Sequence, residues 1–175
     1  MVSDNPSGAD NQQERPGFEQ WVVGFVDGEG CFSVPIFRNR TCRMGWQVQP
    51  EFSVVQSARS VEVLYLLKEF FGCGSVVRNG RHDDHRSDLY RYGVKSWDGL
   101  VNHIVPFFIE RPLRTAKGED FAKFCEVLQL MQGGRHRRPE GLRQIAAIVE
   151  TMNRRQRSRF LESSEAIRQL PQFDD

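Results

Sequence analysis

Two acidic residues alternate with glycines at the end of an apolar run, and their types and spacing suit metal chemistry. Residues 21–30 read WVVGFVDGEG, with Asp27 and Glu29 directly after the apolar stretch. The stretch is too short to span a membrane, and it predicts a mostly buried helix of about two to three turns. The acids then lie beside unpaired carbonyls at the helix C-terminus. Such oxygen ligands suit a hard cation such as Mg²⁺, whereas a solvated turn is the plainer alternative.

The same run carries two glycines four residues apart, Gly24 and Gly28, which share one face of the predicted helix. Each glycine costs a helix roughly 0.5–1 kcal/mol relative to alanine. A pair in register therefore needs a reason, and close approach of a second backbone provides one.

The elements around this run predict an α+β fold. Apolar periodicity predicts strands at residues 31–40, 46–57, 73–80 and 88–95, and helices at residues 60–71, 97–108, 118–131 and 140–152. We expect Pro50 to move the second strand to an edge or into a bulge. The order α-β-β-α-β-β-α-α predicts one antiparallel sheet covered by helices on one face.

Composition is compatible with one domain, which we place at residues 17–158, between a flexible N-terminal tail (1–16) and a C-terminal tail (159–175). The net charge of +1 hides three arginine clusters, at residues 38–43, 135–138 and 154–159, which are either phosphate contacts or solvated surface. The four cysteines lack metal-binding spacing and predict free thiols in a reducing compartment. With no signal peptide or membrane segment, we expect the bacterial cytoplasm or an organellar matrix or stroma, no secretion and no membrane partner.

The run WVVGFVDGEG resembles the motif that names the LAGLIDADG homing endonucleases, often spelled close to LAGFVDGEG. The likeness covers roughly residues 18–153. It includes the register FSVVQ at residues 52–56, the segment PLRTAK at 112–117 followed by Asp120-Phe121, which is similar to a PLxTxK element, and a closing helix near 141–153. Glu29 stands where the family name has Asp, and it keeps the carboxylate.

The resemblance implies a catalytic set. In the family the motif helix joins two subunits or pseudo-subunits, and its second acid, here Glu29, binds the catalytic metal together with the carbonyl region at Gly28. Gln56 would approach the scissile phosphate, and Lys117 would act as the catalytic cation, with Arg114 as the alternative. The implied dimer interface contains Trp21, Val23, Gly24, Asp27 and Gly28, with Asp27 orienting the helix ends. We also expect a partner helix to bury Val22 and Phe25.

The uncovered face of the sheet is the predicted DNA-binding surface. Gln and Arg can read adenine and guanine edges in the major groove, although the residues alone favour the wet side of a half-exposed sheet. With the resemblance, the predicted DNA-binding residues are Ser33, Phe37, Arg38, Asn39, Arg40, Arg43, Gln47, Gln49, Glu51, Ser53, Val77, Asn79, Arg81 and Arg91.

A single copy of the motif implies a homodimer. The predicted function is therefore Mg²⁺-dependent, site-specific cleavage of double-stranded DNA at a long pseudo-palindromic target. We expect Mn²⁺ to substitute and Ca²⁺ to support binding without cleavage. An RNA-binding intron maturase and a non-catalytic DNA-binding regulator with the same fold remain the alternatives.

Overall fold

The computed structural model describes residues 10–79 and 88–153, with side chains from residue 17 onward. Five α-helices are present in these ranges: α1 (Asp10–Glu29), α2 (Val61–Phe71), α3 (Val105–Glu110), α4 (Lys117–Gln132) and α5 (Pro139–Glu150). The strands are β1 (Gly30–Ser33), β2 (Ile36–Arg38), β3 (Trp46–Val48), β4 (Glu51–Ser57), β5 (Ser75–Arg78) and β6 (Leu89–Val94). Shorter helical turns lie at Ala58–Ser60, Gly99–Ile104 and Arg135–Arg137. The predicted α+β class is confirmed.

Four strands form an antiparallel sheet in the order β1-β4-β6-β5. The register pairs Phe32 with Phe52, Phe52 with Val94, and Val76 with Tyr92. Since side chains alternate across a strand, these residues share one face of the sheet. Phe32, Phe52, Tyr92 and Val94 are fully buried, so this face is the one that packs against the helices.

An aromatic cluster joins that face to the helices. The Phe32 ring lies 5.6 Å from Phe108, 5.0 Å from Phe121 and 5.5 Å from Phe124, measured between ring centroids. The segment containing α3 and the following helix α4 therefore cover the sheet from one side. Helix α2 adds Leu64, Leu67 and Phe71 to the same core and ends at Gly72, whose φ of 63° is the left-handed conformation that glycine adopts without strain.

The prediction of two long strands at residues 31–40 and 46–57 is wrong, because each is broken in the middle. Strands β2 and β3 form a separate two-stranded ribbon. Pro35 and Pro50 stand at the two breaks, and proline has no N–H for a sheet ladder. The Gln49 N–H donates to the Pro35 carbonyl at 3.0 Å across the gap. Pro50 does not make β4 an edge strand, because β4 begins one residue later and lies between β1 and β6.

The motif helix is much longer than predicted. Helix α1 begins at Asp10, so the prediction of a flexible tail over residues 1–16 is wrong for the backbone from Asp10 onward. The remaining tail residues, and the predicted domain end at 158 with the tail at 159–175, lie outside the described residues. Within residues 10–79 and 88–153, no helix is long and apolar enough to cross a membrane.

Candidate active site and nucleic-acid interface

Helix α1 has one side in the core and one side open. Val22 and Val26, one turn apart, are fully buried in the core of their own chain. Gly24 and Gly28 are exposed, and a Cβ atom built on either would meet nothing within 4 Å among the residues that the structure describes. The expectation that Val22 needs a partner helix for burial is therefore wrong, whereas both predicted interface glycines lie on a free side of the helix.

An aromatic stack runs along α1 beside these glycines. The Trp21 ring stacks on Phe18 at 5.3 Å and on Phe25 at 5.0 Å, and Trp21 remains 40% exposed. Val23 and Phe25 are half-buried. Trp21 and Val23, both predicted for the interface, thus present partly accessible apolar surface in the free chain.

Asp27 binds the loop that precedes α4. Its carboxylate accepts hydrogen bonds from the Arg114 amide at 3.0 Å, the Thr115 amide at 3.2 Å and the Thr115 hydroxyl at 2.7 Å. Burial alone would raise the pKa of Asp27, but these hydrogen bonds and the nearby charge of Lys117 hold it below its ordinary value. The predicted interface residue Asp27 is therefore occupied within its own chain, where it fixes the loop to the end of α1.

Lys117 begins α4 and reaches the end of the motif helix. Its ammonium group donates to the carbonyl of Gly30, the residue after Glu29. The segments 27–30 and 114–117, far apart in sequence, are thus joined by both Asp27 and Lys117. Arg114, the alternative cation, is exposed, and its backbone amide donates to the Asp27 carboxylate.

Glu29 is the exposed last residue of α1. Among the described residues, no cluster of three or more His, Cys, Asp or Glu could hold a metal ion. One chain supplies the Glu29 carboxylate and the carbonyls at the helix end, including that of Gly28. This donor set is compatible with Mg²⁺, which keeps several waters and binds through one or two carboxylates.

Gln56 lies on the strand that leads back toward this helix end. The register pairs Gly30 of β1 with Val54 of β4, so Gln56 lies two residues past that pair, near the α1–β1 junction. Gln56 is half-buried and pairs across the sheet with Tyr90 of β6. The structure therefore brings Gln56, Glu29 and Lys117 to one end of the molecule's central sheet.

The uncovered face of the four-stranded sheet carries Ser33, Glu51, Ser53, Val77 and Arg91, as predicted from alternation. Val77 is 52% exposed, but Glu51 and Ser53 are each only 4% exposed. The Arg91 guanidinium lies 2.7 Å from the Glu51 carboxylate and 3.4 Å from the Ser53 hydroxyl. Glu51 and Ser53, both predicted to bind DNA, are therefore covered and engaged with Arg91 in the free chain.

The ribbon carries most of the remaining predicted DNA-binding residues. Phe37, Arg38, Arg40 and Arg43 are exposed, whereas Asn39 and Gln47 are half-buried and share a hydrogen bond of 2.6 Å. Gln49 and Asn79 are also half-buried. Arg81 and the arginine cluster from residue 154 lie outside the described residues.

Comparison with known proteins decides the family. The family model described as LAGLIDADG endonuclease matches residues 22–128, more than half of the chain. The chain belongs to the LAGLIDADG endonuclease family.

Relatives of this LAGLIDADG chain carry related names. It is 33% identical over 135 residues to a probable intron-encoded endonuclease 3 of Neurospora crassa, covering 76% of this chain and 24% of that protein. The chain thus spans about a quarter of that curated relative. The homing endonuclease I-TnaI superposes with a TM-score of 0.76 at 45% identity, covering 85% of this chain and 97% of I-TnaI.

A second solved LAGLIDADG structure matches only in part. I-SmaMI, solved on its uncleaved DNA target with calcium ions present, superposes with a TM-score of 0.74 at 32% identity. The match covers 83% of this chain but 48% of I-SmaMI. This LAGLIDADG chain therefore corresponds to about half of I-SmaMI and to nearly all of I-TnaI.

Sequence reasoning missed one residue that organises the LAGLIDADG site, Thr115. Its hydroxyl donates to the Asp27 carboxylate and accepts the Lys117 amide at 3.2 Å. The signal was present, since Thr115 is the threonine of the PLxTxK-like segment. The sequence motif alone does not show, however, that this threonine contacts Asp27, because the contact depends on how the loop packs against α1.

Proposed function

We propose that this protein is a homodimeric, Mg²⁺-dependent endonuclease that makes a site-specific double-strand break in DNA. The observation that carries the proposal is the junction at the end of α1. There Asp27 holds the loop before α4 and Lys117 binds the Gly30 carbonyl, so Lys117 and Glu29 are fixed at one helix end.

The open side of α1 supports the dimer. Gly24 and Gly28 face empty space, beside the partly exposed Trp21. A second copy of α1 packed there could approach closely, because neither glycine has a side chain to hold it off. A correspondence to about half of I-SmaMI also fits a chain that supplies one of two halves of a site.

Two packed copies would place two Glu29 carboxylates together at the centre of the dimer. Mg²⁺ held there would activate water and stabilise the departing 3′ oxygen. The chain's own residues would have separate tasks: Glu29 and the helix-end carbonyls would bind the ion, and Lys117 would place positive charge near the pentacoordinate phosphate. Gln56, which lies near the same helix end, would approach the same phosphate, and Asp27 with Thr115 holds the loop that leads into Lys117.

The DNA would lie along the uncovered side of the sheet and the ribbon. Arg38, Arg40 and Arg43 are exposed on or beside the ribbon, where they can neutralise phosphates and release counterions. Arg91 lies on the uncovered sheet face and can present its fork to a guanine edge. This arrangement separates sequence-independent binding of phosphates, at the ribbon, from base reading, at the centre of the sheet.

The decisive experiment compares cutting with binding in Glu29→Gln. The carboxylate both holds the metal and repels the phosphates, so its loss should leave target affinity equal or higher. Cleavage should fall by several orders of magnitude, since each 1.36 kcal/mol is about tenfold. The target is first selected from a randomised duplex library with Ca²⁺, which we propose supports binding only, and Mn²⁺ is tested as a substitute in cleavage.

The matched control is Glu126→Gln, which removes an exposed acid from α4, on the side of the sheet away from the proposed DNA surface. It should cut and bind as wild type does. Single-turnover cleavage of Glu29→Gln near the wild-type rate would overturn the endonuclease mechanism. Selection of no duplex by the wild-type protein would overturn DNA recognition, and selection of structured RNA instead would favour a maturase.

A further inference from the structure

Glu51 is an acid buried on the surface proposed to face DNA. It is 4% exposed although it belongs to the uncovered side of the sheet. A buried carboxylate has to be compensated by partners, and here two cations supply them. Its oxygens lie 2.7 Å from the Arg91 Nη2 atom and 3.8 Å from the Lys95 Nζ atom.

The sheet leaves room for this ion pair at one position. Gly93 follows Arg91 by two residues on β6 and pairs with Ser53. A Cβ atom at Gly93 would lie 2.9 Å from the Glu51 Oε1 atom, so the carboxylate, which is the far end of a flexible side chain, would have to shift. The absence of a side chain at Gly93 therefore allows the position that the carboxylate takes beside Arg91.

Arg91 is held by two partners and remains partly accessible. Its Nη2 atom contacts both Glu51 and the Ser53 hydroxyl, and its Nε atom is buried with no hydrogen-bond partner among the described residues. The side chain is still 30% exposed. A guanidinium has five N–H groups in a planar fork, so donors remain for a ligand beside those that contact Glu51 and Ser53.

We propose that Glu51 is a positioning residue that fixes the Arg91 guanidinium to read a guanine on the DNA, and that Gly93 makes this possible. The inference rests on the proposed DNA-binding function. Arginine reads guanine through paired N–H groups in a set plane, and a pre-oriented fork loses less freedom on binding. Pairing with Glu51 also offsets part of the positive charge of Arg91 and Lys95, which limits their attraction to phosphates of any sequence.

The test uses a randomised duplex library in Ca²⁺, sequenced after selection by each variant. Glu51→Gln should reduce a guanine preference at one position in each half-site. Affinity for unselected duplex should rise, and the logarithmic salt slope should steepen by about one per subunit, as one more free cation meets phosphate. Glu126→Gln, the control that removes an acid elsewhere, should change neither quantity.

Gly93→Ala gives an independent route to the same result, because it keeps Glu51 and Arg91 but displaces the carboxylate. It should reduce the same guanine preference that Glu51→Gln reduces. Arg91→Lys keeps the charge without the fork and should lose that preference too. In an Arg91→Lys background, adding Glu51→Gln should produce no further change at that position, which an independent structural role for Glu51 would not predict.

The outcomes separate the two proposals. If the wild-type protein selects no duplex, the proposed function fails. If it selects a clear target and Gly93→Ala and Glu51→Gln select that same target with the same salt slope, the role of Glu51 is refuted while the function stands. Where Glu51→Gln does not fold, judged by thermal unfolding, Gly93→Ala and Arg91→Lys decide.

Discussion

The two sides of α1 are built from opposite kinds of residue. On one side, Val22 and Val26 are fully buried and anchor the helix to the sheet and helices of its own chain. On the other side, Gly24 and Gly28 have no neighbour within 4 Å of a Cβ position. One helix therefore serves the core of its own chain with one side and leaves the other side accessible, and Glu29, the proposed metal ligand, lies at the helix end.

The largest effect should come from a charge on the core side. Val26→Asp places an unpaired carboxylate in a fully buried position, at a cost on the order of several kcal/mol. Because a domain's whole stability is about 5–15 kcal/mol, we expect loss of the folded state. Circular dichroism and thermal unfolding measure this, and a normally folded Val26→Asp protein would show that α1 is not anchored as described.

An aspartate introduced on the open side of α1, at Gly24, should leave the fold intact and break the proposed dimer. Gly24→Asp introduces a carboxylate into open space in the monomer, but it would face its own copy across the proposed interface. We expect the dimer dissociation constant to rise at least about 100-fold, or ~2.7 kcal/mol. Sedimentation should show a folded monomer, and an unchanged dimer would place the interface elsewhere.

The smallest effect should come from Asp27, which connects the end of α1 to the loop before α4. Asp27→Asn weakens the hydrogen bonds from Arg114 and Thr115, at a cost of about 1 kcal/mol in unfolding free energy. The folded-state pKa of Asp27 is lowered, so the charged form contributes stability above the unfolded value of about 3.9. That contribution is lost as the pH falls through the lower, folded value.

The difference between wild type and Asp27→Asn should thus stay constant from neutral pH to about pH 4 and shrink below it. Denaturant unfolding across this range measures it, with Glu126→Gln as the exposed-acid control. A difference that grew on acidification would contradict the assignment of Asp27 as a charged acceptor.

Much of the fold followed from periodicity, because α2, α4 and α5 each bury an apolar stripe that the sequence shows directly. The breaks at Pro35 and Pro50 were harder to foresee. Val34, Ile36 and Val48 keep their apolar faces buried across the breaks, so alternation alone cannot tell one bent strand from two. The strand boundaries there depend on which strands pair with each other: β1 pairs with β4, whereas β2 pairs with β3. This pairing is a tertiary property.

The candidate site likewise contains residues that the sequence can select and contacts that it cannot show. Glu29 and Lys117 could be selected from motifs, since their types fit metal and phosphate chemistry. The engagement of Glu51 with Arg91 could not, because a sequence places Glu51 on a face but does not show that Gly93 opens a path for its carboxylate. Contacts between side chains on neighbouring strands require the register, which the sequence leaves open.

The proposed function requires that two copies of this chain build one cleavage centre in which each copy cuts one strand. Lys117 is bound to Gly30 of its own chain, so a heterodimer of wild-type and Lys117→Met subunits should retain one complete half. Removing one cation near the reacting phosphate costs about 10²–10³ in rate. On a supercoiled plasmid carrying the selected target, a doubly tagged heterodimer should accumulate nicked circles, while the wild-type homodimer yields linear DNA. Linear product from the heterodimer at the wild-type rate would contradict the claim.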